Sequence, residues 1–146
     1  MVFIDPTDEE LILARLRQLP YHSSGMLFVT LVARAIAMGT AIIDHGGKYP
    51  PIGLIIAHRL PDWQSLPIYP DLSYALAQQI ANEQGYTLGN AEEIWTELEE
   101  VELLIRAWNG KPIAVQWRND TREAFIIPLT LLGMALQQHT DFSLSV

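Results

Sequence analysis

The most apolar stretch of the chain, residues 26–43, constrains the fold more than any other feature. It reads MLFVTLVARAIAMGTAII, and Arg34 is its only charged residue. A helix that is apolar on every side has no face for water, so it must lie in the middle of a core or in a membrane. The stretch therefore predicts a central helix against which the rest of the chain packs.

A membrane span is the alternative for this stretch, because about 20 apolar residues are enough to cross a bilayer. Arg34 lies at its midpoint, where inserting an arginine costs roughly 2.5–3.5 kcal/mol, and Gly39 and Thr40 weaken the segment further. The flanking residues contain no cluster of Lys or Arg that would set an orientation. The sequence therefore disfavours a membrane span.

The length of 146 residues fits one globular domain, residues 1–146, in which 140–146 are expected to form a frayed tail. The absence of cysteine excludes disulfides and thiolate chemistry and is compatible with a reducing compartment. The first ten residues contain no basic segment followed by an apolar one, so we expect no secretory signal. A cytoplasmic location is the resulting expectation.

The formal charge of −8 is unevenly distributed. Residues 83–102 contain seven carboxylates and neither Lys nor Arg. Such a surface repels phosphate backbones, so the sequence predicts no nucleic-acid partner. The hydrophobic fraction of 49% is high for an acidic chain and suggests that some apolar surface is kept for a partner.

Capping and stop signals predict most of the helices. Residues 7–10 (TDEE) form a capping box for a helix that ends near Leu19, and Asp71 begins another that Gly85 ends. A second box at 90–93 (NAEE) opens a helix expected to continue to Trp108. Its apolar residues recur at helical spacing and form one narrow seam. Pro128 is expected to open the last helix.

Strand signals are concentrated near the C-terminus. Residues 113–127 alternate like a hairpin with its turn at Asn119 and Asp120, which sets Trp117 opposite Arg122. Residues 52–60 fit either a buried strand or a short helix, of which we favour the helix, and 61–70 predict an irregular aromatic loop. The expected fold class is α+β and predominantly helical: a central apolar helix, four to five packed helices and one C-terminal β-hairpin.

No motif in the sequence predicts a catalytic, cofactor or metal site. His45 precedes two glycines, as in the oxyanion turn of esterases, but the chain has no Gly-x-Ser-x-Gly nucleophile motif. The four histidines are widely separated and form no i, i+4 pair that would favour a metal. We therefore expect no cofactor and lean against an enzyme.

Arg34 nevertheless needs a partner, since an unpaired buried charge costs several kcal/mol. One option is a structural ion pair with Asp44 or Asp62. The other is an anionic ligand in a pocket around Arg34, His58 and Asp62, which would make the chain a small-molecule-binding protein or an enzyme.

The preferred hypothesis is a non-catalytic protein–protein interaction or assembly module that presents an acidic helix face and a hairpin. Its expected partner is a protein with a basic patch, because charged rims act mainly on association rate and partner choice. Exposed strand edges make a homodimer a further expectation. The candidate partner-binding residues are Trp63, Tyr69, Glu93, Glu97, Glu100 and Trp117.

Overall fold

A computed structural model describes residues 9–20, 22–61 and 64–138 of the chain. Within these ranges the chain is α+β, with five helices and one five-stranded mixed sheet. The elements in chain order are α1 (Glu9–Arg17), α2 (Ser24–Ala37), β1 (Ala41–Asp44), β2 (Leu54–His58), β3 (Ser65–Ile68), α3 (Pro70–Gln84), α4 (Ala91–Glu100), β4 (Ile113–Trp117), β5 (Asp120–Pro128) and α5 (Leu131–Gln138).

The sheet corrects the predicted fold class. Its strand order is β1-β2-β3-β5-β4, with β1 and β2 parallel and the other neighbours antiparallel. The prediction of a mainly helical domain with a single C-terminal hairpin is therefore wrong. The β4–β5 hairpin exists, but β5 continues beyond it and pairs with β3, which joins the hairpin to the three earlier strands.

Helix α2 lies at the centre of the helical layer and contacts α3, α4 and α5. Trp95 of α4 links this layer to the sheet. Its ring packs edge-to-face against Phe28 of α2 and Phe125 of β5, with ring centroids 5.1 Å apart in both pairs. The helix ends at Ala37, not at the predicted Ile43. Gly39 has a positive φ of 79°, which turns the chain out of the helix, and the residues that follow form β1. Among the described residues, no helix is both long and apolar enough to span a membrane.

Residues 54–58 are a strand and not the short helix that we favoured. They pair with β1 in parallel, and Asp44 at the end of β1 is in register with His58 at the end of β2. A run of six apolar residues does not reveal its period, so only this long-range pairing decides the structure.

The predicted irregular loop 61–70 contains strand β3. Pro67 is tolerated there because it lies opposite Ile126, whose backbone N–H and C=O both bond to Ile105 on the far side of β5. The pair therefore does not need the N–H that proline lacks.

Helix α4 ends at Glu100, eight residues before the predicted end. Glu102 takes a positive φ of 61°, and the chain turns so that Ile105 bridges to Ile126 of β5. Trp108, expected in the apolar seam, is 97% exposed. The chain after Glu102 therefore pairs with the edge of β5 at Ile105 and does not continue α4.

The hairpin turn also differs from the prediction. Arg118 and Asn119 occupy its centre with positive φ values of 51° and 63°. Trp117 therefore faces Asp120 and not Arg122, which lies opposite Val115. The last helix begins at Leu131, because Pro128 is the final residue of β5.

Candidate functional site

A polar cluster lies at the carboxyl ends of the parallel strands β1 and β2, where ligand sites of α/β sheets are often found. Asp44 and His58 supply the two strand ends. The tip of the β4–β5 hairpin folds over them and contributes Trp117 and Arg118. Tyr69, directly after β3, completes the cluster.

The Asp44 carboxylate is saturated with hydrogen bonds. Arg118 donates two, from Nε at 2.7 Å and from Nη2 at 2.9 Å, while Trp117 Nε1 donates at 2.9 Å and the Gly46 N–H at 3.0 Å. The Arg118 guanidinium is the main reason that the pKa of Asp44 lies well below its usual range. Asp44 is thus an ionised anchor for the hairpin tip and has no lone pair left to act as a general base.

His58 is fully buried and is held between two aromatic rings. Its Nδ1 lies 2.6 Å from the Tyr69 hydroxyl, and its ring stacks on that of Trp117 with centroids 4.3 Å apart. Nε2 is buried without a hydrogen-bond partner among the described residues. Burial is the main cause that lowers the pKa of His58, so the imidazole is neutral in the fold.

Tyr69 connects this cluster to the surface. Burial raises the pKa of its phenol to about 12, so it stays protonated. Arg122 lies over the Tyr69 ring at 5.5 Å from its centroid, a cation–π contact at the mouth of a shallow cleft of about 210 Å³. Besides these two residues, the cleft is lined by Pro70, Asp71, Leu72, Thr121 and Glu123. Asp44 and His58 are buried in the cluster, and their contacts with Trp117 and Arg118 tie the hairpin to β1 and β2.

The second region is the acidic face of α4, whose carboxylates have different tasks. Glu97 accepts a hydrogen bond of 2.9 Å from the Gly25 N–H in the first turn of α2. Glu92 and Glu99 bind Arg106 at 3.0 and 3.1 Å. Glu93 and Glu100 are exposed.

A short loop that presents Trp108 adjoins this face. Arg106, whose side chain is only 7% exposed, fixes the base of the loop to α4 through Glu92 and Glu99. Within the loop, the Gly110 N–H donates to Ala107 at 2.8 Å and the Ala107 N–H donates to Lys111 at 2.9 Å. We call residues 105–111, which include Trp108, together with the exposed carboxylates Glu93 and Glu100 of α4, the Trp108 surface.

The structure brings together some of the residues predicted as sites and separates others. Tyr69 and Trp117, predicted to contact a partner, lie in the buried cluster beside His58. Asp44 pairs with Arg118 and not with Arg34. Arg34 Nη2 is buried and has no hydrogen-bond partner in the described part of the chain. Trp63 and Asp62 lie outside the described residues, as do the capping residue Thr7 and the predicted tail 140–146.

Sequence reasoning missed Arg118 and the exposure of Trp108. Arg118 is 74 positions from Asp44, and no local pattern connects them. Trp108 carried a signal, because the Asn-Gly pair that follows it is turn chemistry.

No protein-family model, curated protein or solved structure matches the chain. A functional proposal for this chain therefore rests on its own sequence and structure.

Proposed function

We propose that the protein is a non-catalytic interaction module that binds a basic protein partner through the Trp108 surface. The observation that carries this proposal is the 97% exposure of Trp108 on a loop that is hydrogen-bonded internally and ion-paired to α4. Tryptophan is among the side chains that most often dominate binding energy in protein interfaces. A tryptophan that is fully exposed in a monomer has no role in its core.

Preorganisation strengthens this argument. Binding normally costs about 0.5–1.5 kcal/mol for each flexible side chain that becomes ordered, and ordering a loop costs more. The Arg106 pairs and the Ala107 hydrogen bonds already fix the backbone on both sides of Trp108. A partner would therefore meet a loop that is already in one conformation.

Charge supports a basic partner. Glu93 and Glu100 are exposed on α4, the helix to which Arg106 ties the loop, and the chain as a whole carries a charge of −8. Glu97 belongs to the same face, but its contact with Gly25 gives it a structural task. We expect the partner to place an apolar pocket over Trp108 and Lys or Arg near Glu93 and Glu100.

The test is capture of binding proteins from an extract of the source cells, followed by affinity measurements with the purified partner. Trp108→Ala should weaken binding by about 2 kcal/mol or more, close to 30-fold. Leu72→Ala is the matched control, since Leu72 is an exposed apolar residue at the cleft beside Tyr69 and Arg122, away from the proposed binding surface. Raising the salt from about 0.1 to about 1 M should also weaken binding, because the Debye length falls from about 10 to about 3 Å. A partner whose affinity is unaffected by Trp108→Ala would contradict the proposal.

A second candidate function, binding of a small anion at Arg34, is favoured by one observation. Nη2 of Arg34 is buried and lacks a partner among the described residues. An anion that binds only the folded protein raises its melting temperature. Phosphate and sulfate should therefore stabilise the wild-type protein but not Arg34→Met, and equal effects on both proteins would exclude this candidate.

A further inference from the structure

A second exposed apolar surface lies in the loop between β1, an edge strand, and β2. The loop between β1 and β2 exposes Tyr49 by 76% and Ile52 by 98%, and Leu54 at the start of β2 is also exposed. These three residues fall within six positions, 49–54, between β1, the edge strand, and the start of β2. We call them, with Lys48, the loop patch.

The loop patch is basic, unlike most of the chain. Lys48 is exposed, lies 5.5 Å from the centroid of the Tyr49 ring and makes no ion pair among the described residues. The nearby carboxylate, Asp44, is buried and already paired with Arg118. The local charge is therefore positive on a chain whose total charge is −8.

The loop patch and the Trp108 surface are complementary in chemistry. Both have exposed large apolar side chains. The Trp108 surface adds the exposed carboxylates Glu93 and Glu100 against one exposed cation, Lys111, whereas the charge of the loop patch is the single cation Lys48. The strand order places β1 at one edge of the sheet, whereas Ile105 and β4 lie at the other edge. The loop patch thus adjoins one edge strand and the Trp108 surface adjoins the other, and two molecules can bring the two surfaces together.

We infer that a second copy of this chain binds head to tail, with its loop patch against the Trp108 surface of the first. This inference rests on the proposed function, since it identifies the basic, apolar partner of the Trp108 surface as another copy. A contact between two different patches does not close after two subunits, so each dimer keeps one unused patch at either end. Further copies add at these ends as the concentration rises.

Two constraints hold the backbone of the loop patch in place, one at each end of the loop. Gly53 has a φ of 137° and an added Cβ would meet Ile42, so this glycine fixes how the loop enters β2. Arg118 Nη2 donates to the Tyr49 carbonyl at 3.4 Å, which holds the other end of the loop near the hairpin tip.

The test uses two variants, Ile52→Glu and Trp108→Glu, in sedimentation experiments across a dilution series. Both sites are exposed, and circular dichroism and melting temperature will verify that each variant folds. We expect the wild-type mass to rise above 16.4 kDa with concentration. Each variant alone should remain a monomer, because every head-to-tail contact needs both surfaces.

Mixing the two variants gives the decisive result. The Ile52→Glu chain keeps an intact Trp108 surface and the Trp108→Glu chain keeps an intact loop patch, so the mixture should form a 1:1 dimer and nothing larger. Association of one variant alone would overturn the inference in favour of a symmetric dimer, and a mixture that stays monomeric would overturn it as well.

The two proposals fail separately. If the wild-type chain stays monomeric at all concentrations but a captured basic protein still loses affinity on Trp108→Ala, only the head-to-tail inference is wrong. If Trp108→Ala changes neither association nor the binding of any captured protein, the proposed function is wrong too.

Discussion

The two buried polar residues at the strand ends, Asp44 and His58, are accommodated in opposite ways. Asp44 stays ionised because Arg118, Trp117 and the Gly46 N–H satisfy its oxygens. His58 stays neutral because burial penalises its charged form. Both side chains contact Trp117, so this single indole links the hairpin tip to two strands. The chemistry of individual residues therefore explains why the hairpin closes over this end of the sheet.

The neutral state of His58 predicts loss of stability in acid. Its folded pKa lies below the ordinary value of 6.5, so the unfolded chain binds this proton more readily than the folded chain does. The contribution of His58 to stability is therefore complete above pH 6.5 and declines as the pH falls from 6.5 toward the folded pKa. Denaturant unfolding at several pH values will measure this decline.

His58→Phe is the control for this prediction, since phenylalanine keeps a ring against Trp117 but does not titrate. The difference in unfolding free energy between the wild type and this variant should change between neutral pH and pH 5, while the other histidines cancel. A difference that is constant with pH would show that His58 is protonated equally in both states.

Gly46 gives a second test of the hairpin contact. It has a φ of +85°, and an added Cβ would lie 3.1 Å from Cη2 of Trp117. Gly46→Ala should therefore destabilise the protein by about 1–3 kcal/mol through backbone strain and crowding. Gly47→Ala is the matched control, because the nearest atom to its added Cβ is the Tyr49 carbonyl oxygen at 3.9 Å. Equal melting temperatures for the two variants would contradict the described packing.

At the scale of helices and strands, local signals predicted some starts and stops but missed the ends of α2 and α4. Asn90 caps α4 and Gly85 ends α3 in the left-handed conformation, as the sequence indicates. Strand β1 was missed because its residues continue the apolar run of α2, and β2 because six apolar residues fit two structures. These strands are defined by partners far away in the chain, which no local pattern contains.

The candidate site shows the same limit. The sequence predicts that residues 91–100 form an acidic helix face. It does not predict which carboxylates bind Gly25 or Arg106 and which remain in solvent. The apolar spacing of Ile105 and Trp108 suited a helix seam, yet the backbone of Ile105 pairs with β5 and leaves Trp108 outside. Where a sheet edge and a helix compete for one segment, periodicity alone favours the wrong structure.

Glu97 and Glu100 provide a test at this scale, since the two carboxylates share a helix but differ in role. Glu97→Gln should destabilise the protein by about 1 kcal/mol, because a charged acceptor at the first turn of α2 is lost. Glu100→Gln should change stability by less than about 0.5 kcal/mol, as for most exposed surface positions. Urea denaturation will compare them, and a greater loss for Glu100→Gln would reverse the assignment.

For the whole molecule, the notable property is that its two sheet edges differ in chemistry. One edge has an apolar loop with Lys48, and the other has Trp108 beside the carboxylates of α4. Exposed strand edges attract other chains unless they are covered or charged, and here each edge adjoins large exposed apolar side chains. Exposed apolar side chains thus adjoin both edge strands, whereas Asp44 and His58 of the polar cluster are buried.

The most direct measurement of the central claim is amide hydrogen exchange of the protein with and without a saturating captured partner. Binding at the Trp108 surface should slow exchange in residues 105–111 and in the exposed face of α4, because these amides become shielded from water. The cleft beside Tyr69 and Arg122 should exchange at an unchanged rate. Slowed exchange confined to that cleft, with residues 105–111 unaffected, would contradict the account.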